Sequence, residues 1–342
     1  MDKLGVGVVG PGWAGGEHIK AYMNNPNAEV IGICGRDKDR TRTRMEEIGI
    51  KCDVYTDYEK MLKNDDIHVV SICTPNDLHV SQAIMTAEAG KHFLLEKPIA
   101  LNIEELKKLK DVADKSDVKT VVGFVLRWNP LFETLKPLID DDAIGNIFFG
   151  EVDYFHGIGP WYKQYEWNVK KSIGGSTLLS AGCHAVDGLR WFIGQEAVEV
   201  TAYSVHGNKN EFKEYEYDPT MVVIIKFDGG AIGKVASSIE CIQPYVFNIN
   251  LVGEKGTIKN NKLYSHKMPG QTDFATIPTI LPDSGDVTHH PYQGEIDHLI
   301  DCILNDKESF VNIDNAIETH EICLAAEISA AEGKSVSLPL IC

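Results

Sequence analysis

Short apolar runs alternate with amphipathic stretches over the first third of the chain. Runs rich in Val, Ile, Leu and Phe predict strands at 4–9, 29–34, 67–73, 92–95 and 119–124. Between them, apolar residues that return every three or four positions predict helices at 14–24, 77–90 and 103–115. This alternation of strands and helices predicts a parallel sheet that is covered on both faces.

The rest of the chain has a different pattern. Apolar runs separated by short turns predict strands at 147–155, 198–205, 220–227, 231–238 and 246–252. Asp228-Gly229-Gly230 is a hairpin signal between two of them, so this second sheet is expected to be largely antiparallel. A helix is predicted over 177–193 and ends at Gly194, and the stretch 294–331 is helix-rich. We therefore expect an α/β protein with two domains that meet near residue 123.

A glycine-rich turn connects the first predicted strand to the first predicted helix. It reads Gly10-Pro11-Gly12-Trp13-Ala14-Gly15, which gives Gly10, Gly12 and Gly15 the spacing G-x-G-x-x-G. In this context the glycines let the backbone approach a pyrophosphate, and the helix N-terminus supplies N–H groups. We expect the turn, with Trp13 and Ala14, to bind a dinucleotide. The alternative is a glycine-rich loop with only a structural role.

The end of the second predicted strand leaves the choice between NAD and NADP open. An acidic residue at this place usually binds the adenosine ribose and favours NAD, but the chain has Cys34-Gly35-Arg36-Asp37. Arg36 would pair with the 2′-phosphate of NADP or stack on adenine, unless it is a solvated turn residue. Asp37 and Asp39 would repel the phosphate if they point inward. The expected cofactor is therefore NAD or NADP.

Polar residues follow two more of the predicted strands. Thr74-Pro75-Asn76 and then His79 follow the strand at 67–73, and Glu96-Lys97-Pro98 follows the strand at 92–95. Ligands of parallel sheets lie outside the carboxyl ends of the strands, so we expect both segments at the cofactor site. The ammonium group of Lys97 is a candidate for moving protons or for stabilising negative charge on a substrate oxygen.

The helix predicted over 177–193 carries a second candidate for proton transfer. Ser180, His184, Asp187 and Trp191 recur at helical spacing and share one face. A carboxylate one turn away can orient a histidine and make it more basic. We therefore expect His184 and Asp187 to be catalytic, although a lone histidine is more often structural.

An aromatic segment at 157–167 is a candidate for binding sugar. Sugars stack their apolar C–H faces on aromatic rings while polar groups bind the hydroxyls. The residues expected to do this are Trp161, Tyr162, Lys163 and Trp167. A loop that contacts another subunit is the alternative. Tyr292 is a further substrate-binding candidate, and it follows His289 and His290, which are equally compatible with a surface position.

Composition excludes several other classes of function. The 342 residues carry a formal net charge of −17, which disfavours binding to nucleic acid or to an anionic membrane. The apolar runs are too short to span a membrane, and the start of the chain has no signal-peptide pattern. The eight cysteines are scattered without a Cys-x-x-Cys pair or a zinc-like cluster. We expect a cytoplasmic protein with reduced thiols and no metal.

The motifs together resemble the glucose–fructose oxidoreductase / inositol dehydrogenase (Gfo/Idh/MocA) family. The resemblance rests on the glycine turn, Thr74-Pro75-Asn76 with His79, Ala89-Gly90-Lys91-His92, Glu96-Lys97-Pro98, Gly174-Gly175 and Gly182-x-His184-x-x-Asp187. It implies an NAD(P)-binding Rossmann domain over 1–123. It also implies a substrate-binding and oligomerisation α/β domain over 124–342, whose open sheet often forms the interface of a homo-oligomer.

The resemblance also assigns roles to single residues. It puts the turn Arg127-Trp128-Asn129 near the nicotinamide or the substrate, with a structural interdomain turn as the alternative. Lys97 would bind the substrate oxygen, and His184 would be the general base in oxidation. Family members often have Asp four residues before the histidine, where this chain has Ser180. This departure leaves open whether Asp187 or Lys97 takes more of the task.

The expected function is that of an NAD(P)-dependent oxidoreductase acting on a secondary hydroxyl of a sugar, glycoside or cyclitol. Gly182-Cys183-His184-Ala185-x-Asp187 resembles members similar to glycoside 3-dehydrogenases, which favours the 3-position of a pyranoside. One alternative is a redox-neutral glycosidase that uses NAD. Another is a regulator that senses sugar or NAD without catalysis, although the presence of Lys97 and His184 argues against it.

Overall fold

The structure is a computed structural model that describes residues 3–207 and 209–341. The chain divides into two compact units, of which the first extends to Val125 and also contains Pro291–Ile317. The second unit comprises Leu126–His290 and the chain from Glu318 onward. Among the described residues, no helix is both long enough and apolar enough to cross a membrane.

The first unit contains a six-stranded sheet. Its strands are β1 (Leu4–Val9), β2 (Ala28–Cys34), β3 (Asp53–Tyr55), β4 (Val69–Ile72), β5 (His92–Leu95) and β6 (Thr120–Val122). Their order in the sheet is β3-β2-β1-β4-β5-β6, and every pairing is parallel. This is the doubly wound order of a Rossmann fold, with the change of direction between β1 and β4.

Helices connect these strands. They are α1 (Trp13–Asn24), α2 (Lys38–Ile48), α3 (Tyr58–Leu62), α4 (His79–Glu88) and α5 (Ile103–Lys115). The central strands are almost wholly buried because helices cover both faces of a parallel sheet. The predicted parallel sheet is confirmed. Strand β3 and helices α2 and α3 were not among the predicted elements, because their short and polar sequences carry little periodic signal.

The remaining strands form a nine-stranded sheet. They are β7 (Ile147–Phe155), β8 (Ala197–Val205), β9 (Thr220–Phe227), β10 (Ile232–Ser238), β11 (Val246–Gly253), β12 (Gly256–Lys259), β13 (Lys262–Ser265), β14 (Ala275–Thr276) and β15 (Val336–Ser337). Their order is β14-β13-β12-β11-β7-β10-β9-β8-β15. Among the described strands of this second sheet, only β7 and β10 pair in parallel, so the predicted largely antiparallel sheet is confirmed.

The other helices are α6 (Pro130–Asp140), α7 (Tyr165–Asn168), α8 (Lys171–Gly174), α9 (Cys183–Ile193), α10 (Tyr292–Leu304) and α11 (Ile313–Glu332). Helix α9 lies close against the large sheet because two strand glycines leave room for Leu189. A Cβ atom at Gly150 would lie 2.6 Å from this side chain, and one at Gly233 would lie 2.7 Å from it. The buried face of the sheet is thereby closed by the helix that carries His184.

The opposite face of the large sheet exposes apolar side chains. In β9 the residues alternate between buried and exposed, and Val222 and Ile224 are among the exposed ones. Tyr203 on β8, which pairs with Val222, and Ile232 on β10 are also exposed on this face. Exposed apolar side chains gathered on one face of a sheet often mark an interface.

We therefore expect a closed, symmetric homo-oligomer built on this face. Light scattering at micromolar concentration should report more than one subunit. Val222→Lys combined with Ile224→Lys should shift the mass towards the monomer, because charges on this face disfavour its burial. Lys115→Glu on the exposed surface of α5 is the control and should leave the mass unchanged. A monomeric wild-type protein would contradict the prediction.

Candidate active site

The glycine turn has the geometry that a dinucleotide requires. Gly10 has φ +85°, and a Cβ atom there would lie 2.5 Å from the carbonyl oxygen of Cys73. A Cβ atom at Gly15 would lie 2.3 Å from the carbonyl oxygen of Gly10. At Gly12, by contrast, a Cβ atom would meet nothing within 4 Å. The first and third glycines thus permit the tight turn and close packing, and the second leaves open space for a ligand.

The N-terminus of α1 opens onto this space. Gly12 is the N-cap residue and has no side chain to occupy the N–H groups of the first turn. Trp13 is exposed and Ala14 is half-buried at the start of the helix. A helix start with free N–H groups suits the pyrophosphate of a dinucleotide. The residues present therefore fit the predicted cofactor.

The end of β2 contains no carboxylate for the adenosine ribose. A Cβ atom at Gly35 would lie 2.2 Å from Oγ1 of Thr41, so the strand end packs too closely against α2 for a larger residue. Asp37 caps α2 by accepting the Arg40 N–H at 2.8 Å, and the exposed Asp39 lies 3.5 Å from Arg42. Arg36 is exposed at the strand end. The local geometry thus leaves Arg36 available to either cofactor.

His79 links two of the predicted cofactor segments to each other. Its Nδ1 lies 2.7 Å from the carbonyl oxygen of Pro98, and its Nε2 lies 2.9 Å from that of Thr74. Burial lowers the pKa of His79, although the two carbonyl groups oppose that effect. We predicted a cofactor contact here, but the structure assigns both ring nitrogens to backbone carbonyls. We now propose that His79 acts through the loops it joins.

Thr74-Pro75-Asn76 lies at the carboxyl end of β4, next to β5 in the sheet. Thr74 and Pro75 are half-buried after β4, and the Thr74 hydroxyl donates to Gln82 at 2.7 Å. Asn76 is buried in the single turn that precedes α4. The parallel sheet therefore brings this segment and Glu96-Lys97-Pro98 to the carboxyl ends of adjacent strands. Their contacts with a cofactor stay a prediction.

Glu96 and Lys97 follow β5. The Glu96 carboxylate lies 3.1 Å from Nε2 of His18 and accepts the Lys97 backbone N–H at 3.2 Å. Burial would raise the pKa of Glu96, but the hydrogen bond and charge of His18 outweigh it, with help from Lys97 and His79, and lower the pKa. The backbone of the half-buried Lys97 is thereby held by the buried, ionised carboxylate of Glu96.

A buried residue from the C-terminal part of the first unit joins this group. Glu295 on α10 is fully buried, and its Oε1 lies 3.4 Å from Nε2 of His18. Potential ligand atoms of His18, Glu96 and Glu295 lie within 4.8 Å of one another. Sequence analysis missed this cluster because its members lie far apart in the chain and share no motif. The prediction that no metal binds had therefore not considered these three residues.

In the second unit, Arg127 and Asp187 form a buried ion pair. Arg127 donates from Nε and Nη2 to the two carboxylate oxygens, at 2.8 and 2.6 Å. Thr319 also donates to Asp187 at 3.2 Å, and the guanidinium carbon of Arg127 lies 5.2 Å from the centre of the Trp191 ring. These contacts hold Asp187 in the interior. Its predicted role beside His184 and the predicted cofactor contact of Arg127 stay proposals.

The next two residues are buried at the start of α6. Asn129 is the N-cap residue, and its side-chain oxygen accepts the Leu131 N–H at 2.9 Å. Trp128 is also buried. Since the Asn129 oxygen already caps the first turn of α6, this cap accounts for an asparagine at this position. The substrate-binding role that we predicted for Trp128 and Asn129 stays a prediction.

His184 lies at the start of α9, after a wide π-helical turn over Leu178–Gly182. The predicted helix over 177–193 is confirmed, except that the turns at its N-terminal end are π-helical instead of α-helical. The turn lies close to β10, since a Cβ atom at Gly182 would lie 2.6 Å from Oγ of Ser237. The Ser180 hydroxyl donates to Asn168 at 2.8 Å. Turns of this kind often occur at functional sites.

Aromatic and histidine side chains surround His184, which is itself buried. Its ring stacks against Tyr154 with centres 6.3 Å apart, and it meets His290 edge-on at 6.2 Å. Tyr154 also contacts the rings of His156 and Tyr245. Of this group, sequence analysis named only His184 and His290, because the others are ordinary residues of apolar strands and loops.

His156 belongs to a chain of hydrogen bonds. The Tyr154 hydroxyl lies 3.3 Å from Nδ1 of His156, and Nε2 of His156 lies 2.6 Å from the Tyr162 hydroxyl. The Tyr162 hydroxyl also donates to Asp286 at 3.2 Å. Burial, then the charge of Asp286, raises the pKa of Tyr162 to about 12, so its hydroxyl stays protonated at neutral pH. The chain thus ends on a carboxylate.

These groups border a cavity of about 730 Å³. Its walls include His156, Trp161, Tyr162, Tyr245 and Asp286. Trp161 is 62% exposed, and Gly159 lies directly under its ring, where a Cβ atom would be 2.4 Å away. The cavity is large enough for a small organic ligand.

The other predicted substrate residues lie elsewhere. Lys163 directly follows the cavity residues Trp161 and Tyr162 in the chain and is exposed. Trp167 is half-buried in α7. Tyr292 belongs to the first unit, where its ring contacts Trp13 at 5.8 Å and His18 at 5.3 Å between centres. The structure therefore places Tyr292 beside the glycine turn of the first unit.

Two family models match the chain. The oxidoreductase family with an NAD-binding Rossmann fold (Gfo/Idh/MocA) matches residues 4–124, and the Gfo/Idh/MocA C-terminal domain matches residues 132–259. The chain belongs to the Gfo/Idh/MocA family. The resemblance inferred from its motifs is thereby confirmed.

Named relatives of this Gfo/Idh/MocA protein extend over most of its length. It is 29% identical to scyllo-inositol 2-dehydrogenase (NAD+) of Bacillus subtilis, over 97% of this chain and 95% of the relative. It is 27% identical to myo-inositol 2-dehydrogenase of Thermotoga maritima, over 74% of each. The solved structure of levoglucosan dehydrogenase with NADH and L-sorbose has the same fold, with a TM-score of 0.89 and 24% identity over the full length of both chains.

Family membership confirms two of the predictions. The protein is an oxidoreductase, and its first unit is an NAD-binding Rossmann fold. The choice between the two dinucleotides stays open, since a relative from Haloferax volcanii, 22% identical over 97% of this chain, is named D-xylose 1-dehydrogenase (NADP+) 2.

The first prediction from the site concerns cofactor preference. Arg36→Ala should weaken NADP binding by about 10- to 100-fold if Arg36 binds the 2′-phosphate, because charge-assisted hydrogen bonds are lost. Binding of NAD should change much less. Fluorescence titration with both cofactors measures the effect, and Arg40→Ala on the neighbouring helix is the control. Equal small effects on both cofactors, or a wild type that binds only NAD, would reject the phosphate contact.

The second prediction concerns the buried ion pair. Asp187→Asn should destabilise the protein by about 3–5 kcal/mol, because Arg127 then keeps a buried charge without its partner. Urea denaturation measures the free energy of unfolding. The double variant Arg127→Met with Asp187→Leu removes both charges and should lose clearly less. A single variant as stable as the wild type would show that water reaches Arg127.

Proposed function

We propose that the protein is an NAD(P)-dependent dehydrogenase that oxidises a secondary hydroxyl of a sugar, glycoside or cyclitol, or reduces the corresponding ketone. The proposal depends mainly on the cavity that His156, Tyr162 and Tyr245 line in the second unit. The first unit of the same chain is an NAD-binding fold. Relatives named as inositol and levoglucosan dehydrogenases support this class of substrate. Oxidation at the 3-position of a pyranoside is the favoured specific reaction and rests on the motif around His184.

The cavity suits an uncharged polyhydroxylated ligand. Trp161 and Tyr162 offer aromatic surfaces, and His156 and Asp286 offer polar groups for hydroxyls. The lining residues include the carboxylates of Glu211, Asp283 and Asp286, and no lysine or arginine is among those described. A phosphorylated or carboxylated sugar would be repelled by this lining, which favours neutral substrates.

Two groups are assigned to the proposed proton transfer. A dinucleotide held at the glycine turn would supply the acceptor for the hydride of the carbinol carbon. His184 takes the proton of the hydroxyl in oxidation and returns it in reduction. Lys97 donates a hydrogen bond to the substrate oxygen and stabilises the negative charge that develops on it. Glu96 holds the backbone of Lys97 through the hydrogen bond described above.

Absorbance of the reduced nicotinamide tests the proposal. The protein is incubated with NAD or NADP and a panel of neutral substrates: scyllo- and myo-inositol, levoglucosan, glucose and methyl glucoside. Net formation of reduced cofactor is expected with at least one of them. Product without net reduced cofactor would instead indicate the redox-neutral glycosidase, and cofactor binding without turnover of any substrate would indicate a sensing protein.

Variants then test the two proton-transfer groups. Lys97→Ala should lower turnover by about 10²–10⁴-fold while cofactor binding changes little. His184→Asn should also remove most of the turnover. Because the base must be uncharged, wild-type oxidation should decline at acidic pH, and the variant should lose this decline. A His184→Asn protein with the wild-type pH profile would place the base elsewhere.

A further inference from the structure

The most unusual side chain of the first unit is Glu295. It is fully buried on α10, and neither carboxylate oxygen has a hydrogen-bond partner among the described residues. Most buried polar groups in proteins are hydrogen-bonded, so an exception in a well-packed fold requires an explanation. The proposed mechanism does not use this residue.

The surroundings of Glu295 show how its charge is avoided. Nε2 of His18 lies 3.1 Å from Glu96 and 3.4 Å from Glu295, so one ring nitrogen faces two carboxyl groups. Only one N–H is available at that nitrogen, and it can satisfy only one of them. Two ionised carboxylates around a single imidazole would leave net negative charge in a buried site, which is strongly unfavourable.

Glu96 is the better placed of the two to keep the charge. It has His18 on one oxygen and the backbone N–H of Lys97 on the other. Glu295 has neither kind of donor. Burial, followed by the repulsion from Glu96, raises the pKa of Glu295 well above its ordinary value.

We propose that Glu295 is a neutral carboxylic acid in the folded protein and that, with His18, it positions Glu96 and thereby the backbone of Lys97. The proposal rests on the proposed function only for the role of Lys97. Glu295 and His18 are positioning residues, since neither is needed to touch substrate.

Close packing makes such positioning effective. A Cβ atom at Gly123 would lie 3.0 Å from Oε2 of Glu96, so the carboxylate already fills the space beside β6. On the other side of the His18 ring, Nδ1 lies 3.2 Å from the Ser71 hydroxyl, which in turn lies 3.0 Å from the Tyr22 hydroxyl. The imidazole is thus fixed from both sides, and a change at Glu295 passes directly to Glu96.

Two substitutions at Glu295 separate a neutral acid from a carboxylate. Glu295→Gln has nearly the same shape and is uncharged, so it should keep turnover within about twofold of the wild type. Glu295→Leu removes the polar group, and His18 and Glu96 should then shift. Turnover should fall by about 10- to 100-fold, as expected when a catalytic group is displaced. The Kd for NAD should change much less than turnover.

Ile296→Val is the matched control for Glu295→Leu. It alters the next buried residue of α10 and should reduce stability without reducing turnover. A loss of turnover in Ile296→Val as large as in Glu295→Leu would mean that general packing of α10 is responsible, and the positioning role would be rejected.

The pH dependence of stability is a second, independent measurement. A carboxyl group whose pKa is raised by folding stabilises the protein at low pH, and this contribution is lost as the pH rises above the ordinary glutamate range. The melting temperature of the wild type should therefore fall relative to that of Glu295→Gln as the pH rises above about 5. The titratable groups facing Glu295 are His18 and Tyr22 from α1, Cys73 after β4, Glu96 after β5 and Tyr292 on α10. They are unchanged in the variant.

The outcomes distinguish this proposal from its competitor and from the proposed function. Parallel melting curves for wild type and Glu295→Gln would overturn it. So would a rise in melting temperature with ZnCl₂ or MnCl₂ in the wild type alone, because His18, Glu96 and Glu295 would then form a cation site. If Lys97→Ala has normal turnover, the role of Lys97 in the proposed function is rejected. The melting curves still decide whether Glu295 is neutral.

Discussion

Each unit of this protein contains a buried carboxylate that needs hydrogen-bond donors, and this need fixes the elements around it. In the first unit Glu96 holds His18 and the Lys97 backbone, and in the second Asp187 holds Arg127. An uncompensated charge in either place would cost several kcal/mol, so the elements that carry the donors are fixed relative to the carboxylate. The hydrogen bonds to these buried carboxylates therefore hold in place the segments that carry the candidate active-site residues.

Close approach of backbones is the second requirement of the fold. At Gly10, Gly15 and Gly182 a side chain would meet a neighbouring atom at less than 3 Å. The first two let the turn before α1 close against β4, and the third lets the π-helical turn before His184 lie against β10. Gly12 differs because its side is open, which is what a bound pyrophosphate requires. Glycines of the same motif thus serve packing and binding separately.

Several residues that look like ligand contacts in the sequence have structural partners. His79 joins the loops after β4 and β5, and Asn129 begins α6 as its N-cap. Polar side chains near a strand end have two tasks, because backbone groups there must also be satisfied. Conversely, His156 and Asp286 border the cavity although no motif marks them. Their importance comes from hydrogen bonds between residues that are distant in the chain.

The sequence by itself determined the fold class, the glycine turn, the family and the strand-end position of Lys97. These features depend on local periodicity and short spacings, which a linear pattern records. Only the tertiary structure decided that Glu295 joins His18 and Glu96, that Asp187 pairs with Arg127, and that His184 lies among Tyr154 and His290. It also decided that a π-helical turn precedes His184. Such contacts depend on which elements pack together in three dimensions, and no spacing along the chain specifies them.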